Sequence, residues 1–280
     1  MRYDHIRVEP ISPALGAEIS GVDLSGDLGN EVFAEIHRAF LAHSVIFFRG
    51  QTLTPEQQIA LAGRFGPVSE IPFIEPWAEH PQIVRVIKEA DEGAKFNFGG
   101  NWHTDFSFLP RPPMASMLYA VELPPVGGDT LWASMYLGYE ALSPGMRRML
   151  DGLNVIHSGA KSYKKSADLR SMKTVTDERA EVETVHPAVR THPDTGRKAL
   201  FTNPGYATRF VDMTVAESEP LMNWLNEQAV RPENCIRFRW SPGTLALWDN
   251  RCLLHWALND YAGWRREMHR ITIEGERPFH

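Results

Sequence analysis

The chain has 280 residues, 43% apolar and 23% charged, with a formal net charge of −6. That composition supports a large globular core and supplies no basic stripe for nucleic acid. No apolar run reaches the roughly 20 residues that span a bilayer, so no membrane partner is expected.

Cys235 and Cys252 are the only cysteines. Without a close spacing they form neither a disulfide framework nor a structural zinc site, and a reducing cytoplasm suits them. Met1-Arg2-Tyr3-Asp4-His5 has no apolar h-region, so no secretory signal is expected. No repeat, low-complexity tract or linker divides the chain, and a single domain over 1–280 follows.

Residues 8–24 read as short strands, with 17–24 alternating apolar and polar. Residues 31–42 carry Phe33, Ile36, His37 and Phe40 at helical spacing, and the apolar run 44–48 reads as a buried strand. Thr54-Pro55-Glu56-Gln57 is a helix start, with Thr54 as cap, Pro55 at the first position and Gln57 closing a capping box. That helix stops at Gly66-Pro67. Residues 83–87 read as a strand, and 93–100 as a mobile loop entering Asn101-Trp102-His103-Thr104-Asp105-Phe106-Ser107-Phe108.

Downstream, 115–123 reads as a strand and 127–132 as a turn feeding another. Ser143-Pro144 opens a helix to Leu150. The polar segment 162–183 lacks a period and reads as an excursion or lid. Residues 191–197 form a hairpin turn between 188–190 and 199–201. Residues 214–228 form a helix capped by Thr214 and Glu217, its first turns disturbed by Pro220. Strands are expected at 235–240, 244–248 and 269–274. The whole is mostly β with peripheral helices, as in a jelly roll or double-stranded β-helix.

Read as a strand, His103-Thr104-Asp105 points its imidazole and carboxylate to one face, half of a metal site. Alone, His-X-Asp is a weak signal. His255, after the Asp249-Asn250 turn, completes a 2-His-1-carboxylate triad of the kind that leaves one face of iron(II) open. Arg266 can hold a carboxylate through its bidentate fork, and Thr130 can donate its hydroxyl to the same group, so that a dicarboxylate lies between metal and arginine. His157, His186, His192 and His269 read as polar strand or turn residues, since a facial triad needs no fourth ligand. Trp102, Phe106, Phe108, Trp132 and Trp248 read as core or pocket wall.

Trp102-His103-Thr104-Asp105, Gly127-Gly128-Asp129-Thr130-Leu131-Trp132, Trp248-Asp249-Asn250-Arg251 with His255, and Met268-His269-Arg270 together resemble the taurine/2,4-D dioxygenase (TauD/TfdA) family. The resemblance extends from Gly16 to Phe279. It implies a double-stranded β-helix, iron(II) at His103, Asp105 and His255, O2 as oxidant, and 2-oxoglutarate anchored by Thr130 and Arg266. It also implies a homo-oligomer, and an Arg270 that pairs with an anionic substrate head. The reaction implied is hydroxylation of a substrate C–H bond, coupled to decarboxylation of 2-oxoglutarate to succinate and CO2.

Members that act on taurine hold its amine with an Asn four residues before the metal His, and with a His and a Tyr further upstream. Here those positions match Gly99, Glu70 and Phe73; Ser162, Tyr163 and Tyr206 match further substrate contacts. The anion end is kept and the amine end changed, which favours a more apolar sulfonate, an alkyl sulfate or an aryloxyalkanoate. The alternatives are taurine itself, a non-oxidative metal-binding jelly roll, and a hydrolase or isomerase using the same ligands with another metal.

Overall fold

The structure is a computed structural model that describes residues 2–69, 71, 74–92, 97–160, 172, 178 and 182–280. Its largest sheet runs β1 (Arg7–Pro10), β2 (Ala17–Ser20), β3 (Val45–Phe48), β14 (Leu245–Asp249), β6 (Ala115–Glu122), β16 (Arg266–Ile273), β4 (Val68–Ser69), and β5 (Val84–Lys88) also pairs with β16. Neighbours are antiparallel except β2 and β3. A second sheet orders β13 (Cys235–Phe238), β7 (Thr130–Ser134) and β15 (Leu253–Ala257). A third holds β12 (Ala207–Phe210), β8 (Asn154–Ser158) and β9 (Glu183–Pro187), while β10 (Val189–Thr191) and β11 (Lys198–Leu200) form a hairpin. The chain is thus sheet-rich with few helices, as expected.

The first and second sheets face each other across the core. Phe47 of β3 stacks on Phe238 of β13 at 3.8 Å between ring centroids, and Trp132 of β7 lies 5.3 Å from Phe47 and 6.0 Å from Trp248. The other face of β3, Ile46 and Phe48, packs with Ile36 and Phe40 of α1 (Asn30–His43). Both faces of β3 are buried, which is why 45–48 is apolar throughout.

The capping box at Thr54 opens α2 (Pro55–Phe65) as read, and Ser143 caps α4 (Pro144–Leu150). The short α3 (Met135–Glu140) gave no sequence signal. In α5 (Val215–Ala229) the Thr214–Glu217 box forms, but the expected disturbance does not. The helix passes through Pro220 unbroken, and proline's missing N–H leaves only the Ala216 carbonyl without its i→i+4 donor.

A second correction concerns 101–108. Only His103 makes a β-bridge, to His255, and residues 105–108 are a turn with Phe106 at φ +44°. Of the excursion over 162–183, only Met172, Glu178, Val182 and Glu183 are described, and Glu183 opens β9. The loop expected over 93–100 is described from Asn97 on.

Candidate active site

His103 and His255 meet through backbone hydrogen bonds in both directions, 3.1 and 2.8 Å long. Their rings lie 4.1 Å apart, and both Nε2 atoms are 3.6 Å from Asp105 Oδ1. Cis ligands at about 2.1 Å from an octahedral ion sit about 3 Å apart, so this trio is one small adjustment from a metal-binding set. The convergence comes from the bridge and the turn after it, not from strand alternation.

The donor atoms are prepared for a metal. His103 Nδ1 donates to the Asn101 carbonyl at 2.8 Å, which leaves Nε2 with its lone pair. Asp105 Oδ2 is taken by Ser116 Oγ at 2.7 Å and by an Arg270 nitrogen at 2.6 Å, leaving Oδ1 toward the histidines. Burial pushes both imidazoles below their ordinary pKa, so they stay neutral as ligands must. Burial alone would raise the Asp105 carboxyl, but Arg270 foremost, then the two histidines, holds it below the carboxylate range.

Ser116 and Asn250 were missed in the sequence. Asn250 Nδ2 donates to Ser116 Oγ at 3.0 Å, and its Oδ1 accepts from Trp248 Nε1 at 3.0 Å. Trp248 in turn lies 4.9 Å from the His255 ring. The only signal was position, since Asn250 sits in the turn ahead of His255.

Thr130 is buried in β7 opposite Ala257, two residues along from the Trp132–His255 pair, and its Oγ1 accepts from Trp240 Nε1 at 3.0 Å. Arg266 is 5% exposed, and its Nε and one terminal nitrogen have no hydrogen-bond partner. A buried guanidinium with open donors is costly unless a ligand completes it. A Cβ on Gly128 would come within 3.3 Å of the Arg266 side chain, so the glycine turn lets the segment leading to Thr130 lie against the arginine. This donor set suits the distal carboxylate of 2-oxoglutarate.

Arg270 lies 5.6 Å from the Phe98 ring and 5.3 Å from the Phe106 ring, with its Nε unpartnered. Phe106 packs with Ile71, Ile74, Val84, Phe108 and Tyr206 in an apolar cluster. Tyr206 is buried, its ring 6.5 Å from His103. Gly99 has φ +75°, and a Cβ there would lie 3.3 Å from His103 Cε1. Glu70, Phe73, Ser162 and Tyr163 lie outside the described residues.

Metal-ligand side chains also meet at His192, Asp249 and Cys252. There His192 Nε2 pairs with Asp249 Oδ2 at 2.9 Å, and its Nδ1 accepts from the backbone N–H groups of Asp194 and Thr195. Arg251 grips both Asp249 oxygens at 2.8 and 2.7 Å, and burial pushes the Cys252 thiol up to about 12. With its donors and acceptors spoken for, this cluster fixes the turn between β14 and β15.

A sheet-rich scaffold brings a His-Asp-His trio near a buried arginine with two open nitrogens, a set that fits a metal-dependent dioxygenase. Residues 7–272 match the model of the taurine catabolism dioxygenase TauD, TfdA family. The chain is 35% identical over 277 residues to an alpha-ketoglutarate-dependent sulfate ester dioxygenase of Pseudomonas putida, covering 97% of this chain and 90% of the relative. It is 36% identical over 277 residues to an alpha-ketoglutarate-dependent 2,4-dichlorophenoxyacetate dioxygenase of Cupriavidus pinatubonensis, covering 94% and 96%. A crystal structure of a taurine dioxygenase from Burkholderia xenovorans superposes with a TM-score of 0.83 at 36% identity, covering 98% of this chain and 93% of that one. The chain therefore belongs to the TauD/TfdA family. It is a 2-oxoglutarate-dependent dioxygenase.

Proposed function

We propose that this enzyme uses iron(II), O2 and 2-oxoglutarate to hydroxylate a carbon next to the heteroatom of an anionic substrate with an apolar body, a sulfate ester or an aryloxyalkanoate. The observation that carries this reading is Arg270, placed between Asp105 and the apolar cluster around Phe106. The jelly-roll reading of the two facing sheets fits the same proposal.

His103, Asp105 and His255 would hold the metal, and Thr130 with Arg266 the distal carboxylate of the cosubstrate. The loaded metal supplies oxidative C–H hydroxylation coupled to release of succinate and CO2. Arg270 binds the anionic head through its open Nε and fixes the substrate's register, while Ile74, Phe106, Phe108 and Tyr206 exclude water from the carbon to be attacked. Ser116 and Arg270 keep Asp105 Oδ2 occupied, so that Oδ1 remains the ligand. A hydroxyl placed on a carbon bearing sulfate or ether oxygen gives a product that breaks apart in water. Gly99 offers no side chain to a substrate amine, which favours an apolar substrate over taurine. The two free cysteines suit a reducing, cytoplasmic setting.

Succinate formation measured with alkyl sulfates, aryloxyalkanoates, alkyl sulfonates and taurine tests the reading. Turnover of the first two classes is expected; turnover of taurine alone would overturn the preference. Arg270→Ala should lower kcat/KM by about 100-fold or more, the scale of a lost charge-assisted contact. Metal affinity is measured alongside, since Arg270 also holds Asp105.

A further inference from the structure

Lys88 of β5 and Arg266 of β16 are register partners. Residues directly opposed on an antiparallel pair share a face, with Cβ atoms about 4.5–5.5 Å apart. Two cations are thus set side by side, and both are buried, Lys88 at 6% exposure and Arg266 at 5%. Together with Asn97, Phe98 and Tyr261 they line one narrow cavity. Opposed like charges destabilise a sheet, and burial enlarges the cost.

A protein normally offsets such a pair with a carboxylate in contact. Among the described residues neither cation has one. Lys88 Nζ donates to the Asn259 side-chain oxygen and lies 4.5 Å over the Tyr261 ring, both neutral partners. Glu92, on the same cavity, acts on Lys88 only from beyond ion-pair distance. Arg266 keeps two nitrogens unpartnered. The contrast with nearby charges is sharp. On the opposite face of the same strand pair, Arg85 meets Glu267 at 2.7 Å. At the start of β16, Arg265 is shared by Glu89, Glu122 and Glu267. Among the described residues, Arg85 and Arg265 have carboxylates in contact, whereas Glu92 and Asp129 reach the two cavity cations only from beyond ion-pair distance.

We propose that Lys88 is a second cationic contact for the distal carboxylate of 2-oxoglutarate, shared with Arg266. The inference rests on the cosubstrate reading above. The distance along β16 supports the placement: Arg270 lies four residues, about 13 Å, further on, so Lys88 stands at the cosubstrate end rather than beside the substrate anion.

Calorimetric binding of N-oxalylglycine and of oxalate to the Mn(II)-loaded protein tests this without turnover. Both probes chelate the metal, but only N-oxalylglycine carries a distal carboxylate. Lys88→Met should weaken N-oxalylglycine by roughly 10- to 100-fold, leave oxalate unchanged, and raise the melting temperature of the ligand-free protein by removing an uncompensated charge. Lys88→Arg should restore most of the affinity. Lys88→Gln, which keeps a donor for Asn259, serves if the Met variant fails to fold, with the same two-probe expectation.

Binding of N-oxalylglycine within about twofold of wild type in the folded variants would overturn the inference. So would an equal loss for both probes, which would mean that the charge acts on the site at large. Arg266→Met is the control for the underlying reading. If it and wild type bind N-oxalylglycine alike, the cosubstrate assignment itself is wrong. If only the Lys88 variants bind like wild type, that assignment stands and the role of Lys88 falls.

Discussion

At the residue scale, the proposed metal site depends on which oxygen of Asp105 is left free. Ser116 Oγ donates to Oδ2, and Asn250 Nδ2 donates to Ser116, so one asparagine outside the ligand set orients a ligand. Asn250→Ala should weaken metal affinity by about 10- to 100-fold. It should also cost about 1–3 kcal/mol of stability, because the buried Trp248 Nε1 loses its acceptor. Metal titration and urea unfolding on one preparation check both, and unchanged affinity would mean Ser116 suffices alone. Gly99 makes a second case. Its φ of +75° and the 3.3 Å approach of an added Cβ to His103 Cε1 leave little room for a side chain unless the imidazole shifts. Gly99→Ala should therefore lower metal affinity and cost about 1–2 kcal/mol through the left-handed backbone; a variant that binds metal as wild type does would show that His103 can yield.

At the element scale, local interactions were legible and long-range ones were not. The Thr54 and Thr214 capping boxes involve groups three residues apart, so the sequence contains all that is needed to find them. Thr214→Ala should destabilise by about 1 kcal/mol. It should leave kcat/KM unchanged, since α5 packs on β12 and α3 and not on the triad; a fall in activity at equal stability would place α5 in the site's support. The reading of 101–108 as a strand failed for the converse reason. His103 is extended only because His255, far along the chain, pairs with it, and the chain then turns at Phe106. Lys88 escaped notice because strand register, which sets it opposite Arg266, is not written in either strand alone.

At the scale of the whole molecule, stability should depend on acid through His157 of β8 and His186 of β9, whose rings meet 5.3 Å apart. Burial foremost pushes His157 down to about 3 and His186 to about 4. The unfolded chain takes up these protons near pH 6.5, while the native imidazoles remain neutral. Stability is therefore full above about pH 6.5 and falls as pH drops toward 3–4, by up to about 1.4 kcal/mol per pH unit for each histidine. Urea midpoints between pH 7 and 4 should show this slope, and His157→Gln should flatten it; a flat wild-type profile would mean the pair is protonated in the native state.

The sequence by itself determined the family, because His103, Asp105, His255, Thr130 and Arg266 sit in or beside short motifs whose identity survives without coordinates, and it singled these residues out as the candidate site. It also determined the helix starts, which are made by neighbours. Only the tertiary structure decided how the triad converges, through a bridge and a turn. The structure alone also revealed which carboxylate oxygen is free and which buried cations lack a partner. Those properties depend on contacts between residues more than a hundred positions apart, and a linear pattern does not encode distance.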